Sequence, residues 1–397
     1  MKFKSNIDLK TGQSNKTVRF LPYTSKSISR IRQDVKSWNN YLAIAQSEEP
    51  KMWPLQLLFN DIFLDAHLAS QIENRKQQVF SAGFSLKTAK GEVDEEQTKF
   101  LSNLKSYRDL TNQILDSIYF GYSLVELNLN KTDFGDRLDV ISLPRTNIVP
   151  QLGRFLTDYS DDSKFIIYRE MPEFGTWILE FNTGGLGLLN KAVPNVLFKR
   201  FAQSCWSELC EIYGIPPRVL TTNTQDTVLL NRAEQMMKDM GAAAWFIIDE
   251  TEKFEWAQGV STNGDVYNNL ITLCRNEISL LISGAVIGQD TVNGNRSKEE
   301  VSQDMLWQLV QSDMKMVESY WNSTIIPALI KIGILKGEVH FEFDPSEDLD
   351  QLFKFTQGLL PFKEIDNNWL KEKFGVEVTG DKSPLSNGLK ADNDFFV

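Results

Sequence analysis

Two histidines and three cysteines are the residues of this sequence with the strongest potential for catalysis or zinc binding. His67 and His340 lie far apart, and neither accompanies a serine or cysteine nucleophile motif. They also lack the i, i+4 spacing that zinc ligands show in many hydrolases. Because His340 lies in the alternating segment 339–343, we expect a strand residue there rather than a general base.

The cysteine spacing also favours a structural role over chemistry. Cys205 and Cys210 are five residues apart in a predicted helix, and no second cysteine pair completes a zinc site. The third cysteine, Cys274, makes the count odd, which argues against a disulfide framework. We therefore expect Cys205 and Cys210 to be small apolar core residues.

Two further segments could bind ligands, but both lack the required pattern. The acidic group Asp344, Glu347, Asp348 and Asp350 lacks the alternating ligands and the central glycine of a calcium loop. Together with Pro345 it predicts the start of a helix instead. The glycine-rich turn 183–187 does not have the spacing of a nucleotide-binding loop. The sequence therefore predicts no catalytic residue, no metal site and no cofactor.

The charge distribution argues against a protein whose main task is to grip nucleic-acid phosphates. The net charge is −11, and residues 1–36 carry nine basic and two acidic residues, so +7 there leaves −18 for the rest. The basic segment is either a solvated, partly disordered tail or an arm that contacts a neighbouring protein or nucleic acid. The N-terminus has no signal-peptide pattern, and the longest apolar run, 278–288, is too short to span a bilayer. We therefore expect synthesis in the cytoplasm.

Hydrophobic periodicity in the first half predicts a mixed module of helices and strands. Helices are expected from Met52, from about Asp65, and from Asp94 to Ile118, where Gly121 supplies a C-cap. Alternating segments predict strands at 80–86, 122–129, 138–143, 165–168 and 177–180.

The second half predicts longer helices separated by short β segments. Gly214 and the prolines after it should end one helix, and Pro327 should break another locally. A polar loop rich in glycine and asparagine, 284–296, separates two long helices. The expected helices are 198–213, 224–240, 265–283, 297–331, 346–358 and 363–374, and the expected strands are 243–248, 253–258 and 338–343.

Four collinear segments resemble the Mu-like branch of the tailed-phage portal proteins and together cover about residues 50–376. Each segment alone has moderate specificity, whereas four in the same order are much more specific. The segments are 57–75 with 121–126, then Phe198-Lys199-Arg200 followed by Glu211-Ile212-Tyr213-Gly214-Ile215-Pro216-Pro217-Arg218-Val219, then 277–289, and finally Phe341-Glu342-Phe343-Asp344.

The resemblance implies an α+β portal fold with an α/β wing, a helical stem, a small αβ clip, a long spine helix and a short C-terminal helical region. In chain order the implied parts are a basic N-terminal arm (1–49), the wing (50–197), the first stem helix (198–213), the clip (214–258), the second stem helix (259–284), the tunnel loop (285–297), the spine helix with a strand returning to the wing (298–344), short C-terminal helices in place of a larger crown (345–376) and a polar tail (377–397).

The resemblance also assigns residues to three contact regions. The tunnel loop would face DNA with Gln289, Asp290, Thr291, Val292, Asn293, Gly294, Asn295, Arg296 and Lys298. The clip would meet its partners through Pro216, Pro217, Arg218, Arg232 and Lys238, and the stem residues are Trp206, Tyr213, Arg275 and Glu277. Arg296 and Lys298 either make transient contacts with the DNA backbone or belong to an ordinary solvated turn.

The implied protein is a ring, commonly of twelve subunits, at one capsid vertex in the virion, with assembly in the host cytoplasm. It would serve DNA packaging, DNA ejection and head–tail connection. The implied partners are further copies of the chain, double-stranded DNA, the large terminase subunit, the major capsid protein and head–tail connector proteins, without a membrane. Two alternatives stay open. Another connector or minor head protein would form no large ring, and a metal-dependent nucleic-acid enzyme would show metal-dependent turnover.

Overall fold

The computed structural model describes residues 26–132, 135–214, 218–239, 245–252, 265–286 and 296–344, together with the short pieces 356–358, 365–366 and 369–371. The chain divides into two compact units, 1–342 and 343–397. The elements below belong to the first unit, apart from the last residue of its final strand. They mix helices with small sheets, as the predicted α+β class requires.

In the described part of the chain, five helices and one strand form the N-terminal part of the fold and pack around its hydrophobic core. They are α1 (Lys26–Ala45), α2 (Trp53–Ile62), α3 (Ala66–Ser81), α4 (Glu95–Asn103) and α5 (Lys105–Phe120), with strand β1 (Phe84–Thr88) after α3. The helices expected from Met52 and Asp65 are confirmed. The strand expected at 80–86 starts later, because α3 continues to Ser81.

One predicted helix, 94–118, is in fact two. Leu104 is extended, with φ −77° and ψ 123°, and it separates α4 from α5. The apolar pattern alone did not show this break, since α4 buries only Leu101 while Phe100 is exposed. Gly121 ends α5 with φ +92°, which confirms the predicted cap.

Two antiparallel sheets follow α5. Strands β2 (Tyr122–Thr132), β3 (Gly135–Ser142), β4 (Ile148–Val149), β5 (Arg154–Leu156), β6 (Phe165–Ile167) and β7 (Ile178–Asn182) form the sheets β3–β2–β7 and β4–β5–β6. In the first sheet Val125 lies opposite Ser142 on one side and Leu179 on the other. Both strands next to β2 therefore run antiparallel to it. Strand β3 follows β2 directly in the chain, whereas the second sheet lies between β2 and β7 in sequence.

The next part of the chain places a small βαβ unit between two long helices. The elements are α6 (Leu188–Gly214), β8 (Arg218–Thr222), α7 (Thr227–Asp239), β9 (Trp245–Asp249) and α8 (Asp265–Ser283). Strands β8 and β9 are parallel, and α7 is their crossover. The helix expected at 265–283 is confirmed, whereas β8 was not predicted and the strand expected at 253–258 lies outside the described residues.

Helix α6 begins ten residues before its predicted start at Phe198. The buried residues Leu189, Val193 and Val196 extend the apolar face toward the N-terminus. Pro194 lies inside the helix, so core burial there outweighs the usual effect of proline.

The last helical segment is interrupted by a π turn just before the predicted proline. Helix α9 (Arg296–Tyr320) leads through a π turn (Trp321–Ile325) into α10 (Ile326–Ile332), and β10 (Val339–Phe343) then pairs with β1. The N–H of Ile326 donates to the Trp321 carbonyl five residues earlier. Pro327 cannot donate the next bond of a regular helix, so its predicted local break is confirmed. The helices expected at 346–358 and 363–374 lie mostly outside the described residues.

Part of the predicted N-terminal arm packs on the core. Val35, Trp38 and Leu42 of α1 contact the main core cluster, and Ala45 is buried. The Trp38 indole also donates to the Asn190 side chain at 3.0 Å. Residues 35–45 therefore belong to the core, because their apolar face covers the start of α6, and both alternatives for the basic segment 1–36 stay open. Residues 1–25 lie outside the described residues.

Candidate functional site

Helices α6 and α8 form an antiparallel pair whose burial changes along its length. In α6, seven residues between 189 and 202 are buried, but none is buried between 203 and 210. In α8 the direction is reversed, since 265–270 contain no buried residue and Ile271, Cys274, Ile278 and Ile282 are buried. We call 188–202 with 271–283 the embedded end of the pair, and 203–210 with 265–270 the projecting end.

A buried ion pair fixes the embedded end of α6. The Lys199 ammonium contacts both carboxylate oxygens of Asp65 at 2.8 Å, and both residues are buried. The same carboxylate accepts from the N–H groups of His67 and Leu68 and so caps α3. Burial alone would raise the pKa of Asp65, but the Lys199 charge and these backbone donors together lower it. One carboxylate therefore links the start of α3 to α6.

Farther along α3, a histidine side chain forms hydrogen bonds with α8. The His67 Nε2 atom lies 3.1 Å from the Arg275 carbonyl and 3.0 Å from the Ser279 hydroxyl. Burial lowers the pKa of His67, because the charged imidazolium is disfavoured there. One turn later in both helices, the Ser283 hydroxyl donates to Gln71 at 2.6 Å. Polar side chains of α3 thus contact α8 at successive turns.

The last of these side chains, Arg75, connects three helices. Its guanidinium donates to both carboxylate oxygens of Asp313 in α9, at 2.6 and 2.7 Å. It also donates to the Ile282 carbonyl at the end of α8, at 2.7 Å. That carbonyl has no partner within its own helix, and a cation at a helix C-terminus is favourable. Arg75 and Asp313 are 5% exposed each.

The Arg75–Asp313 pair is charged in spite of its burial. Burial opposes the charge of Arg75, but the Asp313 carboxylate outweighs this effect and raises the Arg75 pKa. Burial raises the pKa of Asp313, while Arg75 acts in the opposite direction. We take the bidentate geometry as decisive, because two parallel N–H donors require an ionised carboxylate.

The residues predicted for the stem lie on the helical pair but do not form one cluster. Trp206 is half-buried and lines a groove with Arg275, between α6 and α8. The side chains of Arg275 and Glu277 are exposed. Tyr213 lies in α6, with its side chain outside the described set. Cys210 is exposed, which corrects its expected core position, since α6 has left the core at that point.

The predicted clip and loop residues are described only in part. Arg232 and Lys238 are exposed on α7, where Lys238 pairs with Glu234 at 2.5 Å. The backbone of Arg218 lies in β8, and Arg296 and Lys298 lie in the first turn of α9. Their side chains lie outside the described set, as do Pro216, Pro217, Gln289, Asp290, Thr291, Val292, Asn293, Gly294 and Asn295.

Sequence reasoning missed the buried charges at the embedded end, although a signal for them existed. Leu68, Ile72 and Val79 form the buried face of α3, and Arg75 occupies the same helical face. A charged residue in an apolar stripe requires a buried partner. Nothing in the sequence, however, showed that this partner would be Asp313, 238 residues later.

Exposed apolar side chains concentrate in the stretch of chain from α6 to the first half of α9. Of the nineteen large apolar side chains that are exposed among the described residues, ten lie between 198 and 305. On α8, Val266 and Leu273 are 67% and 56% exposed, and Leu280 follows after another seven residues. The apolar periodicity of 265–283 predicts that one helix face carries Val266, Leu270, Leu273, Cys274, Ile278 and Leu281. The exposure of Val266 and Leu273 corrects that prediction. Such a concentration is typical of a surface that contacts a protein.

Comparison with known proteins identifies the class as phage portal proteins. The model of the family described as the portal protein of Mu bacteriophage matches residues 56–376. The chain belongs to this family. It is also 26% identical over 217 residues to the portal protein of Escherichia phage Mu, an alignment that covers 50% of this chain and 41% of that relative.

The described residues offer neither a metal-binding cluster nor a membrane-spanning helix. No group of three or more histidine, cysteine or acidic side chains is placed to hold a metal ion in that part of the chain. Among the helices described, none combines the length and the apolar character needed to cross a membrane.

Proposed function

We propose that this chain assembles into the ring-shaped portal of a phage capsid and that double-stranded DNA passes through the ring during packaging and ejection. The family match over residues 56–376 carries this proposal, because it includes both long helices, the βαβ unit and the helix after them. The match does not favour another connector protein or a metal-dependent nucleic-acid enzyme.

The exposed apolar side chains of α6 and α8 support assembly of the chain into a ring. A ring of identical subunits uses two different surfaces of each copy, and each must be covered by the next copy. Val266, Leu273 and Leu280 offer one apolar face on α8. Phe198, 40% exposed on α6, offers apolar area on the other helix of the pair. We infer that neighbouring copies cover these faces.

The parts of the proposed portal follow the chain. Residues 50–197 would form the wing, 198–213 and 259–284 the stem, 214–258 the clip, 285–297 the tunnel loop, and 298–344 the spine and its returning strand. In this assignment the projecting end of the α6–α8 pair leads to the clip. The clip would contact the large terminase subunit during packaging and connector proteins later, while the wing side would meet the major capsid protein.

The charge of the chain suits a channel through which DNA must slide. With a net charge of −11 per copy, the ring repels phosphates rather than holding them. Arg296 and Lys298 would make brief backbone contacts beside the polar residues 289–295. The proposed ring has twelve copies, lies at one vertex of the virion and assembles in the host cytoplasm.

The assembly can be tested with the purified full-length chain. Native mass spectrometry should show a species whose mass is a single large multiple of the 45.4 kDa chain. Leu273→Asp should reduce that species, because it places a charge in the inferred contact. Val93→Asp is the matched control, since Val93 is 50% exposed but lies outside the pair. A wild-type chain that remains single at all concentrations would refute the proposal.

A further inference from the structure

Helix α9 runs well past the end of α8. Gly284, just after α8, lies against α9, where a Cβ atom on Gly284 would be 3.1 Å from Leu309 and 3.9 Å from Met305. The nine residues of α9 that precede Met305 correspond to about 13 Å of helix. The first turns of α9, including Arg296 and Lys298, therefore extend beyond the point where the two helices meet.

Few contacts hold α8 and α9 together where Gly284 lies against α9. The strongest of them are hydrogen bonds made by side chains of α3. Arg75 donates to the Ile282 carbonyl of α8 and to the Asp313 carboxylate of α9 with one rigid guanidinium. Gln71, one turn earlier, accepts from Ser283. The planar guanidinium fixes direction as well as distance, which a lysine ammonium could not do.

We propose that Arg75 is a positioning residue that sets the direction in which α9 leaves the end of α8. The functional part of this inference rests on the proposed portal function, in which the tunnel loop assigned between these helices faces the channel. A buried ion pair is often replaceable by apolar residues without loss of stability. What apolar residues cannot replace is the directed bond from Arg75 to the Ile282 carbonyl.

The neighbouring residue Lys76 provides a matched control. Lys76 is 4% exposed and Arg75 is 5% exposed, and both are paired with carboxylates. The hydrogen bonds of Lys76, however, go to Asp116 and Asn112 in α5 rather than to α8 or α9. Loss of Lys76 should therefore loosen α5 and leave the α8–α9 junction intact.

The first test is hydrogen exchange measured by mass spectrometry on the full-length protein. Arg75→Met should speed exchange in peptides covering 279–286 and 305–317 by at least about tenfold. Lys76→Met should speed exchange in 105–120 instead. Equal patterns in the two variants, or unchanged exchange at 279–286 in Arg75→Met, would overturn the proposal. If Arg75→Met does not fold, Arg75→Lys and Asp313→Asn serve in its place.

A double variant separates positioning from stability. Arg75→Met with Asp313→Leu replaces the ion pair by apolar side chains and should restore the unfolding midpoint. A positioning role predicts that fast exchange at 279–286 persists and that assembled particles retain full-length DNA less often. If slow exchange at 279–286 and DNA retention both recovered together with the unfolding midpoint, Arg75 would have only a structural role. A wild-type chain that forms no ring would refute the portal function, while the exchange result would still decide the role of Arg75.

Discussion

The two ends of the α6–α8 pair are built from the same helices but are stabilised in different ways. At the embedded end, core residues and buried charges hold the helices, as Lys199 with Asp65 and Arg75 with Ile282 show. At the projecting end, neither helix contains a buried residue in 203–210 or 265–270. The embedded end is therefore specified by the fold of one chain, whereas the described residues of the same chain leave the projecting end uncovered.

This difference separates residues that determine the fold from residues that determine assembly. A substitution at the embedded end should lower the free energy of unfolding, because it leaves a buried group without its partner. A substitution at the projecting end should leave that free energy nearly unchanged and act on association. The predictions below test this separation.

The largest effect is expected for a buried lysine compared with an exposed one. Lys199→Met leaves Asp65 buried without its partner and should lower the free energy of unfolding by about 3–5 kcal/mol. Lys238→Met on α7 removes an exposed i, i+4 pair with Glu234. It should change the free energy of unfolding by less than about 0.5 kcal/mol. Urea unfolding measures both. Similar losses in the two variants would contradict the separation.

The glycines before α6 should show the next largest effect. Gly187 has φ +82°, and a Cβ atom there would lie 2.1 Å from the Tyr119 carbonyl oxygen, so Gly187→Ala should cost about 3 kcal/mol or more. Gly184 has φ +77° but open space around it, so Gly184→Ala should cost about 1 kcal/mol. Thermal unfolding of the two variants measures both losses of stability. Equal costs would show that the close approach to α5 does not hold the start of α6.

A smaller effect on folding, with a separate effect on assembly, is expected at the projecting end of α8. Val266→Ser should change the free energy of unfolding by less than about 0.5 kcal/mol, since this side chain is 67% exposed. It should raise the protein concentration needed for assembly by at least about tenfold. Sedimentation velocity across a concentration series checks this. Unchanged assembly would mean that the α8 face is not a subunit contact.

The smallest effect concerns pH at the embedded end. Because burial holds the pKa of His67 below 6.5, the unfolded chain binds more protons than the folded chain just below that pH. Stability should therefore be fully present above about pH 6.5 and should decrease as the pH falls further. His67→Gln should weaken this decrease, whereas His340→Gln, at an exposed position, should leave it intact. Denaturant midpoints between pH 7 and pH 5 provide the measurement.

Periodicity predicted the elements well where one face of a helix is buried and the chain ends it with a clear signal. Helix α8 matches its predicted bounds, Gly121 caps α5, and Pro327 interrupts the last long helix. The prediction was wrong where tertiary contacts override local signals. Core packing carries α6 through Pro194, and Leu104 divides a helix that looked continuous.

Less of the site was predictable than of the fold. The buried face of α8 was partly misassigned, because apolar residues such as Val266 and Leu273 served neither the core nor the partner helix. Periodicity cannot distinguish an apolar face that meets the core from one that meets another copy. The pairing of Arg75 with Asp313 was out of reach, since it depends on how distant segments pack.

Electron cryo-microscopy of the purified full-length chain tests the central claim most directly. We expect a closed ring around a channel wide enough for a DNA duplex. We also expect the α6–α8 pairs of adjacent copies to contact each other through Leu273 and its heptad neighbours, with the chain after Gly284 facing the channel. A single chain in solution, or a ring in which Leu273 faces solvent and the chain after Gly284 lies on the outer rim, would contradict the proposed assembly.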